Sequence, residues 1–411
     1  MRWHGHSREL WTVQAGIFLN TLGYGAVLPF EIIYLHNARG FSLGIAGLIV
    51  GTITGTAVVT GPLSGPLIDR FGARVTAVGA GVLLAAGYFA LAFAESPALA
   101  FVGAALAGVG NGALNPSQSA LIATVSLADR RHRATAVSRV ATNAGFGLGG
   151  ALGGAVAATG LRGFVGLFLL NAATYLIYVC ILAVAVRESP RPVPLAGGYR
   201  VVLRDAAFVH LALANVAMIA VGWGVFSWLI PTFARNNLGI SERLVGLLLV
   251  ANAFTVVVAQ VPIARLAEGH RRVVFMAFAG SIFAVACTLM VVAQASPGQA
   301  IGILVAAAVL VGFGECFHTT ALSPLVADLA PAAVRGRYMA ATGLSWWVGL
   351  TIAPAVGGGL LSTAPVALFI GSAVAAVTAS VALLALERRL PIAIRLTPRP
   401  TWANSGSGGR D

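Results

Sequence analysis

The sequence predicts an all-α membrane protein with twelve transmembrane helices in two six-helix repeats. Three observations carry this. The 411-residue chain is 58% hydrophobic and only 9% charged, where a soluble protein carries about 25% charge. Apolar runs long enough to cross a bilayer of about 30 Å recur along its length. The second half also repeats the pattern of the first.

Lipid offers the backbone no hydrogen-bond partner, so each run must be helical. The runs fall at 10–34, 43–68, 74–94, 98–125, 135–159, 164–186, 206–232, 244–266, 273–294, 299–326, 338–361 and 365–386. The first follows a polar decapeptide and is not followed by an A-x-A-like cleavage site, so it reads as a retained helix. All 26 basic residues are arginine. With the N-terminus inside, only Arg39, Arg162, Arg235 and Arg243 fall in outer loops. This bias places both termini in the cytoplasm of a multi-pass protein of the cell (inner) membrane. The arginines are scattered over short loops, which argues against a nucleic-acid partner despite the pI near 11.0. Cys180, Cys287 and Cys316 fall inside spans without C-x-x-C spacing and read as free, buried thiols.

The repeat is explicit. RATAVSRVATNAGFGLGGALGG at 133–154 aligns with RYMAATGLSWWVGLTIAPAVGG at 337–358, pairing Gly145 with Gly349, Gly149 with Ala353 and Gly153 with Gly357. Gly108, Gly110 and Ser119 meet Gly312, Gly314 and Ser323 at the same offset. Such a period means two halves of like topology about an axis along the membrane normal. The expected units are bundles at 1–186 and 205–390, joined by a Pro- and Gly-rich cytoplasmic linker at 187–204. A tail at 391–411, ending SGSGGRD, reads as disordered.

Between the second and third runs lies GPLSGPLIDRFGARV, residues 61–75. Its pattern of Gly65, Asp69, Arg70, Gly72 and Arg74 resembles the loop signature of the major facilitator superfamily. A degenerate copy, ARLAEGHRR, follows the eighth run, with Glu268, Arg271 and Arg272. Gly145, Gly149, Gly150 and Gly153 resemble the antiporter motif of the fifth helix, with Gly150 in place of its proline; the eleventh helix keeps Pro354, followed by Gly357. The resemblance covers essentially the whole chain and is nearest to multidrug exporters of the drug:proton antiporter branch. It implies a secondary transporter, sufficient as a monomer, with the first, fourth, seventh and tenth helices lining a cavity. Ala104 departs from the family, which often has arginine there; the alternatives are that proton coupling is arranged differently, through Arg139, or that the protein is not proton-driven in the same way.

Elementary chemistry gives the loop a role. Gly65 would let helix backbones approach and Gly72 would permit a tight turn. A carboxylate at a helix end accepts hydrogen bonds from arginines or from another helix's N-terminus. Asp69 is therefore the expected latch between the halves. The glycines at 145, 149 and 153 have small-xxx-small spacing and read as internal packing faces.

Ionisable groups inside a membrane are costly and point to function. Glu31 and Glu315 are the acidic residues inside predicted spans. At 100° per residue, Asn20, Tyr24, Val27 and Glu31 share one face of the first helix. Asn111, Asn115 and Gln118 share one on the fourth, and Glu315, His318 and Thr319 one on the tenth. These stripes are expected to line the cavity. Glu315 and His318, one turn apart, attract each other, and either can titrate near neutral pH, as proton coupling requires. Glu31, Glu315 and His318 are thus the proton-coupling candidates. Glu-x-x-His is also a metal spacing in bundles, but too few carboxylates accompany it, so no metal is expected. Trp223 and Trp346 are candidates for contact with flat cations, Trp347 neighbours Trp346, and Trp228 reads as an interfacial belt residue.

No G-x-x-x-x-G-K-[ST] is present, and Cys316 points away from His318, so neither ATP hydrolysis nor another enzyme activity is expected. No cofactor is expected. The predicted function is efflux of hydrophobic or amphipathic small molecules in exchange for protons. The alternatives are a sugar or metabolite transporter and a non-transporting sensor or scaffold on the same fold; the latter would be expected to carry an added soluble domain.

Overall fold

The computed structural model describes residues 8–125, 131–185, 200–331 and 334–397. The join at 187–199 and the tail beyond 397 lie outside these residues. Twelve long helices run through the described residues. The first, α1 (Arg8–Val27), continues through a 3-10 turn at Leu28–Phe30 and a π turn at Tyr34–Ala38. It is followed by α2 (Leu43–Phe71), α3 (Ala73–Ala92), α4 (Pro97–Val125), α5 (Arg131–Ala157) and α6 (Leu161–Ala185). The next, α7 (Ala206–Ile219), runs on through a π stretch at Ala220–Leu229 and Ile230–Asn236. Then come α8 (Glu242–Ala267), α9 (Arg272–Ala295), α10 (Ala300–Leu329), α11 (Arg335–Thr363) and α12 (Pro365–Glu387).

Eleven helices among the described residues are long and apolar enough to cross a membrane; α5 is not among them. The reason is local. Arg131, Arg133, Ser138 and Arg139 occupy its first third, and Thr142 and Asn143 follow.

Helix pairings in the first half recur in the second. The pairs α3–α4, α3–α6, α2–α4 and α1–α5 have counterparts in α9–α10, α9–α12, α8–α10 and α7–α11. Two seams cross between the halves, α2–α11 and α5–α8. Glycine makes them possible. A methyl group on Gly47 would strike Pro354 and Gly358, one on Gly51 would strike Ala355, and one on Gly55 would press on Thr351. On the other seam Gly147 faces Ala253, Gly150 faces Leu249 and Gly154 faces Gly246.

Helix α5 therefore carries three stripes. Gly145, Gly149 and Gly153 lie against α1, Gly147, Gly150 and Gly154 lie against α8, and Leu148, Leu152 and Val156 are exposed. Helix α11 repeats them 204 positions on, with Gly349, Ala353 and Gly357 against α7, Pro354 and Gly358 against α2, and Ile352, Val356 and Leu360 exposed.

Both seams are tight at one end of the bundle. At the other, where α2 ends and α11 begins, a methyl group on Gly65 would meet nothing within 4 Å. The expected close approach at Gly65 is absent in this conformation, because the halves diverge there. We call this the arginine-rich end.

Two hinges at this end are built differently. Gly72 (φ 91°) joins α2 to α3, a conformation that favours glycine. Arg74 then donates to the Leu182 carbonyl at 3.0 Å and to that of Ala183, closing the C-terminal turn of α6. At the α8–α9 hinge, Arg271 pairs instead with the buried Glu387 at the end of α12. The chain after α12 was expected to be disordered, but residues 391–397 are ordered. A short helix at Ile392–Arg395 leads into Thr397, whose carbonyl accepts from Gly269 N at 2.8 Å and whose N–H donates to His270 O at 2.9 Å. The open backbone of the hinge supplies the partners that composition did not predict. Cys180 is exposed, not buried as expected, while Cys287 and Cys316 are buried.

Candidate functional site

A cavity of about 560 Å³ lies between the halves. From α1 come Asn20, Thr21 and Tyr24; from α4, Asn111, Asn115 and Gln118; from α5, Arg139, Asn143 and Phe146; and from α6, Tyr175. The second half contributes Trp223, Phe226, Ser227 and Trp228 from α7, Asn252 and Gln260 from α8, Glu315 and Thr319 from α10, and Trp346 and Trp347 from α11. Exposed Arg139, Val140, Val257 and Val261 mark its mouth, which faces the arginine-rich end.

Eight aromatic side chains among the described residues stand on the wall: Tyr24, Phe146, Tyr175, Trp223, Phe226, Trp228, Trp346 and Trp347. Trp223 packs on Trp346 with ring centroids 4.8 Å apart, and Tyr24 packs on Phe146 at 5.7 Å. The π stretch of α7 carries four of the wall residues, Trp223, Phe226, Ser227 and Trp228, and such departures from α geometry recur at functional sites.

Polar side chains are tied in small networks. Glu315 Oε1 accepts from Asn252 Nδ2 at 3.2 Å. Thr319 donates to the Glu315 carbonyl at 2.8 Å and to Gln260 Oε1 at 3.4 Å, while Gln260 Nε2 donates to Thr320 at 3.0 Å. Asn20, Asn111 and Gln118 are buried, and each leaves an amide nitrogen without a partner among the described residues.

His318 does not line the cavity. Its Nε2 lies 2.9 Å from Asn215 Oδ1, Asn215 Nδ2 donates to Ser345 at 2.8 Å, and the ring meets Trp223 edge-on. The expected Glu315–His318 attraction is thus replaced by separate partners, because the two side chains leave α10 toward different helices. His318 braces α10, α7 and α11 behind the tryptophan pair.

Glu31 is also off the cavity wall and fully buried. The 3-10 turn at Leu28–Phe30 is the cause. Three residues at about 120° instead of about 100° turn Glu31 some 60° from the stripe of Asn20 and Tyr24. Its carboxylate accepts from Tyr88 Oη at 3.1 Å and from Trp228 Nε1 at 2.9 Å. Trp228 is therefore no belt residue; it is buried, lines the cavity and reaches across to the first half. Farther along, Asn37 Nδ2 donates to Asn236 Oδ1 at 2.9 Å, joining the ends of α1 and α7.

At the opposite end, Asp69 has no hydrogen bond or ion pair among the described residues, and Arg70 lies over the Phe71 ring. Arg74 acts within the first half, as described above. Sequence reasoning missed Asn252, Gln260, Phe146 and Tyr175. Asn252 and Gln260 carried a signal, being amides in an otherwise apolar run; the aromatics carried none.

The Major Facilitator Superfamily model matches residues 15–230 and 212–408. The chain belongs to the Major Facilitator Superfamily. Among its relatives, the MFS-type transporter YttB of Bacillus subtilis is 28% identical, the match covering 86% of this chain and 88% of that one. The multidrug resistance protein MdtH of Aeromonas salmonicida is 27% identical over 85% and 87% of the two chains, and MdtH of Escherichia coli is 28% identical over 84% of each. Among solved structures, a POT family transporter in complex with 5-aminolevulinic acid superimposes with a TM-score of 0.79 at 14% identity, covering 94% and 97%. A D-xylose-proton symporter gives 0.73 at 16%, covering 91% and 97%. These structures share the fold. The superfamily chain described here is a multi-pass membrane transporter.

Proposed function

We propose that this transporter exports hydrophobic or amphipathic small molecules from the cytoplasm across the inner membrane in exchange for protons. The observation that carries the reading is Glu315, the one carboxylate among the described residues on the wall of a largely apolar cavity. In such surroundings a carboxylate is costly to leave ionised and alone. A proton or a cationic substrate relieves that cost, and each displaces the other. The multidrug resistance proteins among the relatives support the substrate class.

In this reading, twelve spans form two six-helix units, residues 1–186 and 205–390, with both termini and the arginine-rich end cytoplasmic. The two matches to the family model and the recurrent helix pairings support it. The structure then has its cavity open inward. Export alternates this state with one in which the arginine-rich end closes and the outer seams part. Asp69 serves as a latch of the second state. The α2–α11 seam runs through 47·358, 51·355 and 55·351. Continued in the same register, it sets Asp69 opposite Arg337 at the start of α11. One monomer contains the whole machinery.

The test uses purified protein in liposomes with an imposed pH gradient and a lipophilic cationic dye. Gradient-driven dye movement, lost in Glu315→Gln, is expected. A wild type that moves no dye, but moves protons when a sugar or metabolite is added, would replace the efflux reading.

A further inference from the structure

Arg139 and Glu315 are the two charged side chains among the described residues that line the cavity. They stand on opposite halves, Arg139 on α5 and Glu315 on α10. Neither is neutralised here. Glu315 has the single amide donor Asn252, and Arg139 has no side-chain partner among the described residues.

The α5–α8 seam says where Arg139 goes when the mouth closes. Its contacts run antiparallel as 154·246, 150·249 and 147·253. The same register extended toward the arginine-rich end sets Arg139 against Gln260 and Val261, which now line the open mouth. Gln260 already touches Thr319. Glu315 lies one helical turn from Thr319, about 6 Å along α10, within the reach of an arginine side chain. Closure would also exclude water, which strengthens an ion pair there.

We propose that Arg139 is the counter-charge of Glu315 in the state closed at the arginine-rich end, so that this pair forms and breaks once per transport cycle. Once substrate has left at the far side, the bare carboxylate draws Arg139 across; a proton taken up at Glu315 then removes that charge and lets the arginine-rich end reopen. Arg139 is thereby a positioning residue that links occupancy of Glu315 to closure. The proposal rests on the alternating-access reading above, not on the identity of the substrate.

The experiment follows the conformation directly. In full-length protein in liposomes, with Cys180→Ser as background, Asn236→Cys, half-buried in this state, reports opening of the far end through its rate of reaction with a membrane-impermeant maleimide. Arg139→Gln and Glu315→Gln should each slow that labelling by about tenfold, the effect of one ionic hydrogen bond. Arg139→Lys should keep most of it, and the exchanged pair Arg139→Glu with Glu315→Arg should restore it. Wild-type labelling in Arg139→Gln, or an exchanged pair no better than the single reversals, would overturn the proposal. If the labelling pattern holds while wild type moves no dye, the counter-charge stands and the drug-export reading falls.

Discussion

Glu31 and Trp228, 197 positions apart, are joined by a 2.9 Å hydrogen bond that ties α1 to α7 at the closed end of the cavity. A hydrogen bond to a carboxylate contributes about 1.5–3 kcal/mol. Trp228→Phe should therefore shift the conformational equilibrium away from this state by roughly 10- to 100-fold. Glu31→Gln keeps one carbonyl acceptor and should shift it less. The rate at which Asn236→Cys reacts with an impermeant thiol reagent measures both, and an unchanged rate in Trp228→Phe would remove the bond from the closure.

The α5–α8 seam makes a steric prediction. A side chain on Gly246 would strike the Gly150 carbonyl, so Gly246→Val should hold the halves apart at that end and reduce transport at least about tenfold, a loss that follows from overpacking a close contact. Gly166→Ala, where nothing lies within 4 Å, should leave transport unchanged. Equal activity of the two variants would show that the seam does not need to close.

The register of α2 and α11 predicts that Asp69→Cys and Arg337→Cys form a disulfide during turnover. Asp69→Asn should lower transport about tenfold at normal expression, the scale of one charge-assisted contact. Full transport by Asp69→Asn would end the latch assignment.

Arg271 and the strap at Ile392–Thr397 brace the α8–α9 hinge. Arg271→Gln leaves the buried Glu387 without its ion partner. That variant, and truncation after Pro391, should each lower the melting temperature by a few degrees while the outer labelling rates stay at wild type. A melting curve that does not move would show that the strap is not structural.

Much of the fold was legible because lipid leaves so few options. Run length gave the helices, and the spacing of Gly145, Gly149 and Gly153 gave the packing face that lies against α1. The polar stripes of α1 and α4 were also readable, since Asn20, Tyr24, Asn111, Asn115 and Gln118 obey one helical period. Glu31 was misplaced because Pro29 sits in a 3-10 turn that breaks that period. Trp228 was misplaced because its partner comes from 197 positions away, and no local pattern records such a contact. The ordered strap was invisible for a similar reason: its bonds are to the backbone of a distant hinge.

The closest contacts of the seams between the halves are made by glycines, against Ala253, Ala355, Thr351, Leu249 and the backbone of Pro354 and Gly358. They hold by dispersion between backbones, each atom pair contributing only about 0.1–0.2 kcal/mol. Glycine and alanine have no side-chain rotamers to freeze on docking or release on parting. Pulling such a surface apart is a graded peeling, a few atom pairs at a time, with no single bond to snap. A machine that must undo its own closure at every turnover is served by a fastening of this kind, whose rupture barrier stays low however often it reseals.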